Sequence, residues 1–260
     1  MARKDHYYNK AKQEGYRSRA AYKLKQLDEL EDVISRGDTV VDLGAAPGGW
    51  LQVAAEAVGS EGQVIGVDLQ RIKGFDDEID DRIETLRGDM TEERTRERVV
   101  DAAGGTVDVV VSDMAPNMSG EYSLDQARSL HLARQAYETA TELLDTGGDF
   151  VVKIFEGPDV DDFKDEIEEE FQYVRVTNPE ASRKESSEVY FIAKGRITAP
   201  VQPGDELEVE IEDVGSEGDG IASVDGYRLF VPAAEEGDVV TVRVDDVKPN
   251  FGFAQPLERD

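Results

Sequence analysis

Val41-Asp42-Leu43-Gly44-Ala45-Ala46-Pro47-Gly48-Gly49-Trp50 decides the fold of this 260-residue chain. Val40, Val41 and Leu43 supply the apolar run of a buried strand. Gly44, Gly48 and Gly49 let the backbone turn and let a ligand approach closely, and a helix starts behind them. A turn of this kind at the carboxyl end of a parallel strand is where open α/β sheets bind nucleotides. The next strand, Val64-Ile65-Gly66-Val67, closes on Asp68. An acid about 20 residues past the turn is placed to accept hydrogen bonds from two ribose hydroxyls.

The turn is not the G-x-G-x-x-G of dinucleotide enzymes, because it spaces Gly44 from Gly48 and inserts Pro47. It offers no bare helix N-terminus to a phosphate pair, which disfavours a nicotinamide oxidoreductase. Asp89, in Arg87-Gly88-Asp89-Met90, ends the following strand and is placed for an adenine amino group. Asp42, Asp68 and Asp89 together suit an uncharged ribosyl-adenine carrying a cationic sulfonium, S-adenosylmethionine. They suit a pyrophosphate poorly, since like charges repel.

Further along, the apolar pattern predicts strands at Ile83–Leu86, Val107–Ser112, Phe150–Phe155, Tyr173–Val176 and Val189–Ala193. Helices are expected at Gly15–Glu31, at Leu124–Leu144 with Gly147 and Gly148 as the stop, and at Val160–Phe171. The alternation implies a doubly wound α/β sheet of the Rossmann-like kind, with the last two strands paired antiparallel at one edge. The pattern breaks near Gly195–Pro203 and becomes all-β. Leu207, Val209 and Ile211 alternate with glutamates, Val240, Val242 and Val244 alternate likewise, and Asp225-Gly226 marks a hairpin. Two domains are expected, at residues 1–195 and 196–260, the second a small OB-like barrel of about five strands.

Cysteine is absent and there are two histidines, which excludes disulfides, thiol catalysis and a Cys/His zinc site; no metal is expected. No apolar run approaches the roughly 18 residues of a membrane span, and the N-terminus lacks the apolar stretch of a signal peptide. A cytoplasmic protein without a membrane partner is expected. Aspartate and glutamate number 58 against 29 lysines and arginines, a net charge of −29. Disorder does not explain that excess, because periodic apolar segments run almost to the end. A salt-rich cytoplasm does, since at about 1 M ionic strength the Debye length falls to roughly 3 Å. A haloarchaeal source is the expectation. Against this acidity, residues 1–25 hold Arg3, Lys4, Lys10, Lys12, Arg17, Arg19, Lys23 and Lys25 with only Asp5 and Glu14, and Tyr7, Tyr8, Tyr16 and Tyr22 are interleaved. Cations among aromatics suit the phosphates and unstacked bases of RNA, with Arg17, Arg19, Lys23 and Lys25 as the expected contacts.

Residues 1–195 resemble the FtsJ/RrmJ ribosomal RNA 2′-O-methyltransferases. The resemblance lies in Arg17-Ser18-Arg19-Ala20, in Asp42 to Trp50, in Ser112-Asp113-Met114-Ala115-Pro116-Asn117-Met118-Ser119-Gly120, in Phe150-Val151-Val152-Lys153 and in Ser187-Glu188-Val189-Tyr190. The tail from Arg196 resembles a TRAM domain, an RNA-binding barrel, in its strand pattern and in Asp219-Gly220-Ile221-Ala222. It departs from that habit in carrying 16 acids against five basic residues. The family's catalytic Lys-Asp-Lys-Glu maps onto Lys23, Asp113, Lys153 and Glu188. Its S-adenosylmethionine contacts map onto Gly48, Trp50, Asp68, Asp89 and Asp113. The substrate this implies is a uridine ribose in large-subunit rRNA. A tRNA ribose and a non-catalytic ribosome-assembly role are the alternatives, and the intact tetrad argues against the latter.

A sulfonium methyl is already activated, so the chemistry left to the protein is in-line positioning and a base for the 2′-OH. Lysine acts as a base only where burial or a neighbouring cation lowers its pKa. In this expectation Lys153 takes that role or positions the hydroxyl, Lys23 is the neighbouring cation, Asp113 holds the ammonium and Glu188 orients Lys23 or the ribose. Met114 to Asn117 are expected to wall the methyl site, Trp50 to pack near the cofactor or in the core, and His6 and His131 to be incidental.

Overall fold

The computed structural model describes residues 6–75, 77–183, 186–216 and 218–257. Arg3, Lys4 and Asp5 of the basic segment lie outside them. The chain divides into two compact units, residues 1–194 and 195–260.

The first unit is a sheet of β1 (Thr39–Leu43), β2 (Gln63–Asp68), β3 (Ile83–Arg87), β4 (Val107–Ser112), β5 (Leu144–Phe155), β6 (Phe171–Thr177) and β7 (Glu188–Arg196). Their order is β3-β2-β1-β4-β5-β7-β6. β1 to β5 run parallel, and β7 runs antiparallel to β5. The strand order reverses between β1 and β4, which makes the carboxyl ends of these two strands the topological switch point. Helices cover both faces, as the doubly wound expectation requires. α2 (Ala21–Glu31) and α3 (Gly49–Val58) pack on one; α5 (Glu93–Ala103), α6 (Tyr122–Leu143) and α7 (Val160–Glu168) pack on the other. α1 (His6–Glu14) precedes α2, and α4 (Asp77–Asp80) is a single turn before β3. No helix among the described residues is long and apolar enough to cross a membrane.

The pleat decides which side chains share a face. Phe150, Val152 and Ile154 of β5 and Val189, Phe191 and Ala193 of β7 enter the core beneath α6 and α7. Val151 of β5, Tyr190 and Ile192 of β7, and Val109 and Val111 of β4 enter the core beneath α2 and α3. By the same alternation Lys153, two places beyond Val151, falls on the α2 face. Lys153 is paired directly with Tyr190, and Phe155 with Glu188.

Several element boundaries differ from the pattern-based expectation. Gly15, at φ +81°, does not open the long helix; it follows the end of α1, and α2 begins at Ala21. Only glycine enters that left-handed region without strain, and helix C-termini use it. α6 stops at Leu143, before the two glycines. Leu144 already pairs with Val107, and the next pairing is Asp149 with Val109, so residues 145–148 loop out of the ladder. A Cβ on Gly148 would stand 2.8 Å from the Asp108 carbonyl oxygen, so the glycine permits that close approach. Phe171 belongs to β6, not to α7. The last two strands are neighbours, but β7 lies inside the sheet and only β6 forms the edge.

The second unit is a closed barrel, β10-β12-β11-β8-β9, of β8 (Glu206–Val214), β9 (Gly220–Val224), β10 (Tyr227–Val231), β11 (Val239–Val247) and β12 (Phe251–Pro256). Asp225 and Gly226 both have positive φ, as a two-residue hairpin loop between β9 and β10 requires. Val209, Ile211, Leu229, Val231, Val242 and Val244 fill the interior, so the alternation with glutamates sorts apolar in and charged out.

Candidate active site

Three strands, β4, β5 and β7, and one helix, α2, converge on a buried ionic cluster. Lys153, on β5, donates to the Asp113 carbonyl oxygen at 2.5 Å and to Asp113 Oδ1 at 2.8 Å. Asp113 directly follows β4. Lys23, on the buried side of α2, lies 2.8 Å from Glu188 Oε1 and 3.5 Å from Asp113 Oδ1. The sequence-predicted tetrad is therefore brought together, both lysines facing Asp113 Oδ1 and Glu188 joining through Lys23. A fifth member was not given a role on sequence grounds. Lys23 donates to the Tyr190 hydroxyl at 2.8 Å, and that hydroxyl donates to Asp113 Oδ1 at 2.5 Å. The signal for it was its spacing: Tyr190 is two places beyond Glu188, on the same face of a strand.

The charges in this cluster shape one another. Burial pushes the Asp113 carboxyl up, but the charges of Lys153 and Lys23 and the hydrogen bonds from Lys153 and Tyr190 outweigh it and hold the group below the usual carboxylate range. Burial, and then the carboxylates of Asp113 and Glu188, push the Tyr190 phenol well up, so it stays protonated and donates. The two ammonium groups are not equivalent. Lys23 faces Tyr190, Glu188 and, at longer range, Asp113. Lys153 donates to two oxygens of one residue, which leaves one further position on its nitrogen for another acceptor.

Beside this cluster a cleft of about 890 Å³ opens along the carboxyl ends of β1 to β4. Asp68, Asp89 and Asp113 line it, as do Gly44, Ala46 and Met114 to Asn117. Asp68 accepts the Ala46 N–H at 2.9 Å on one oxygen and the Gln70 N–H at 2.7 Å on the other, so its carboxylate is fixed in direction with lone pairs remaining on both oxygens. Asp89 accepts from the N–H and hydroxyl of Thr91. Gly44 has φ +79°, and a Cβ there would lie 2.2 Å from Met114 Cγ; the glycine turn and the Met114 wall are in direct contact. Asp125 accepts from Ser119 N and Oγ and from Gly120 N at 2.8–3.0 Å, which pins the far end of that wall. From α6, Arg128, His131 and Gln135 reach the cleft on one helical stripe. His131 thus belongs to the cleft lining, a placement that only the packing of α6 reveals.

Gly48 and Trp50 are not part of that lining. Gly48, at φ +104°, caps α3 in contact distance of Phe75 and Arg17. Trp50 is buried, donates to the Ala20 carbonyl at 2.8 Å and lies 6.1 Å from the Tyr190 ring, so it fastens α2 above the cluster. Asp42 is buried beneath the glycine turn with Oδ2 unpartnered. Burial, then the charges of Asp113 and Asp68, push its carboxyl well above the usual range.

The expected RNA-contact cations have partners within the fold. Arg17 donates to the carbonyls of Pro47, Lys73 and Gly74 and lies 3.6 Å above the Phe75 ring. Arg19 donates to the Ala181 carbonyl. Lys25 lies 3.4 Å from Glu56 and 4.4 Å from the Tyr16 ring centre.

The family model of the FtsJ-like methyltransferases matches residues 16–196, and that of the TRAM domain matches residues 200–257. The chain is 66% identical over 258 residues to a ribosomal RNA large subunit methyltransferase E of Natronomonas pharaonis, covering 99% of this chain and 100% of the relative. It is 64% identical to the protein of that name from Halobacterium salinarum, covering 97% of each. The corresponding Methanosarcina mazei protein is 49% identical over 99% of this chain and 94% of its own length. The haloarchaeal relatives accord with the salt-adapted composition. Among solved structures, a ribosomal RNA methyltransferase from Plasmodium falciparum superposes with a TM-score of 0.62 over 70% of this chain and 98% of its own, at 24% identity, a likeness of fold.

Proposed function

Because the chain belongs to the FtsJ-like methyltransferase family and carries a TRAM domain, we propose that it methylates the 2′-OH of a uridine ribose in large-subunit rRNA, in the cytoplasm, with S-adenosylmethionine as the donor. The observation that carries this reading is the convergence of Lys23, Lys153 and Tyr190 on Asp113, with Glu188 paired to Lys23, at the rim of the aspartate-lined cleft.

The cleft residues fit this donor. Asp68 has two oriented oxygens with lone pairs left for two ribose hydroxyls, and Asp89 stands one strand further for the adenine amino group. Gly48 and Trp50 shape the turn and helix behind the cleft. When bound, the sulfonium supplies a methyl group that needs no further activation. The bound donor would pass its methyl to the 2′ oxygen and leave as the neutral thioether, and the hydroxyl proton would pass to a base. Lys153 receives that proton, or holds the hydroxyl in line, through the one position on its nitrogen that Asp113 does not occupy. Lys23 stays a fixed cation under Glu188 and Tyr190. Arg17, Arg19 and Lys25 line the approach of the RNA backbone in this reading, the arginines also fastening the loops they touch, while Lys23, buried among Glu188, Tyr190 and Asp113, belongs to the cluster.

Labelled donor, the full chain and large-subunit rRNA at molar KCl give the test. The label is expected in rRNA at a bond that resists alkaline cleavage, the mark of a blocked 2′-OH. Label in tRNA alone, or in an alkali-sensitive nucleotide, overturns the reading.

A further inference from the structure

The connection between β6 and β7 is docked at one residue. Ala181 is fully buried, packed with Ala11 of α1 and Tyr22 of α2. Its N–H donates to Gln26 Oε1 at 2.8 Å, its carbonyl accepts from Arg19, and Gln26 donates onward to the Tyr7 hydroxyl at 3.0 Å. Both backbone polar groups of this buried residue are thus satisfied by side chains from in and just before α2. Beyond the anchor a turn closes from the Ser186 N–H to the Arg183 carbonyl at 2.9 Å, and β7 begins at Glu188. Arg183, two residues past Ala181, is exposed and has no hydrogen-bond or ion-pair partner among the described residues. Its charge bears on Arg19. Burial, then repulsion from Arg183, holds the Arg19 guanidinium below its usual range, and the attraction of Glu188 is the smaller effect. Two guanidiniums therefore stand within electrostatic reach of each other and of the catalytic cluster. Acids outnumber basic residues two to one in this chain, yet among the described residues none pairs with Arg183. An anion from outside completes such a pair.

We propose that Arg183, beside Arg19, holds a phosphate flanking the ribose to be methylated. The inference rests on the proposed function for the presence of that ribose at Lys153. Position selects the anion. The 3′ oxygen of a ribose carries a phosphodiester and sits on the carbon next to the 2′-OH, so a strand whose 2′-OH reaches Lys153 brings a phosphate within one nucleotide of the cluster. A guanidinium takes two phosphate oxygens at once, which fixes the direction of the backbone as well as its place. The donor's own carboxylate does not suit this site. Asp68 and Asp89 set the donor along the ends of β2 and β3, and Arg183, which is not in the cleft lining, precedes β7 on the other side of β4 and β5 in the sheet. The Ala181 anchor has already ordered the backbone that carries Arg183, so less ordering is left to be done on binding.

The test measures affinity of the full chain for an oligouridylate of about 12 nucleotides, from about 0.5 to 2 M KCl, in the parent, Arg183→Gln, Arg183→Lys and Arg94→Gln. Arg94 is an exposed cation on α5, so its loss changes net charge equally at a distance from the site. A phosphate contact to a single strand contributes about 0.7 to the slope of log affinity against log salt. Arg183→Gln is expected to flatten the slope by about that amount and to weaken binding about tenfold at the lowest salt, with Tm and donor affinity unchanged. Arg183→Lys is expected to keep the slope, because a point charge still releases the counterion, and Arg94→Gln to keep slope and affinity. On the methylphosphonate analogue, whose backbone is neutral, Arg183→Gln and the parent are expected to bind alike. A parental slope in Arg183→Gln, the same flattening in Arg94→Gln, equal weakening on the neutral analogue, or no binding of oligouridylate by the parent overturns the proposal. So does a loss of donor affinity in Arg183→Gln, since the anion is then the donor's carboxylate. These readouts involve no methyl transfer, so a failure of the methylation assay with the slope change intact refutes the enzymatic reading alone.

Discussion

Replacing Tyr190 by Phe removes one oxygen atom from the centre of the ionic cluster and leaves the ring in place. Two hydrogen bonds are lost, that from Lys23 at 2.8 Å and that to Asp113 at 2.5 Å. Hydrogen bonds to charged groups contribute about 1.5–3 kcal/mol each. Part of this is recovered, because Lys23 and Asp113 Oδ1 are already 3.5 Å apart and are free to close to a direct charge-assisted contact of about 2.8 Å. The net loss of stability is therefore expected at about 1–3 kcal/mol, a fall in Tm of about 2–4 °C per kcal/mol in a chain of this size. The same closure displaces Asp113, and with it the nitrogen of Lys153, by several tenths of an ångström. A misplacement approaching 1 Å costs up to about a hundredfold in rate, so single-turnover methyl transfer should fall about ten- to fiftyfold, with donor affinity unchanged. The pH profile gives an independent readout. Tyr190 is one of the groups holding Asp113 below the usual range, so its removal lets Asp113 rise. A depressed carboxyl contributes stability that is lost as pH falls through its folded pKa; in the variant that loss begins at higher pH, and the acid limb of the rate profile moves up. A single-turnover rate within twofold of the parent, with an unshifted acid limb, would refute the network.

Three other perturbations separate the parts of the site. Lys153→Ala should abolish transfer while titration shows donor binding nearly intact; near-normal single-turnover transfer would remove Lys153 from the chemistry. Asp68→Ala should weaken donor binding at least tenfold, since two charge-assisted hydrogen bonds of about 1.5–3 kcal/mol each are lost, and an unchanged dissociation constant would place the ribose elsewhere. Burial, then the charges of Asp113 and Asp68, raise the Asp42 carboxyl, so the stability it contributes is full below the unfolded value of about 3.9 and lost as pH rises through the raised folded value. Asp42→Asn cannot ionise, and its Tm relative to the parent should therefore increase from acid to alkaline pH; a difference that stays flat across pH would mean that Asp42 is ionised in the fold.

Local pattern determined much of this protein. The apolar run ending at Leu43, the glycine turn and the acid at Asp68 specify a strand, a tight loop and a ligand-facing carboxylate whatever the remaining chain does, because backbone sterics and the period of a strand act over a few residues. The barrel is legible for the same reason: Leu207, Val209 and Ile211 alternate with glutamates, and Asp225-Gly226 supplies the two positive φ angles of its hairpin. The tetrad was legible only through family resemblance. Its members lie up to 165 positions apart, and spacing along the chain does not bring such residues together. Tertiary structure decided that. The insertion of β7 between β5 and β6 sets Tyr190 opposite Lys153, and the pleat sends Lys153, Glu188 and Tyr190 to the face where α2 delivers Lys23. It also decided that Trp50 fastens α2 rather than lining the cleft, that His131 lines it, and that Arg17 grips three carbonyls. Strand order and helix docking are settled by how the apolar faces of distant segments fit together, and no window of sequence contains both partners of such a contact.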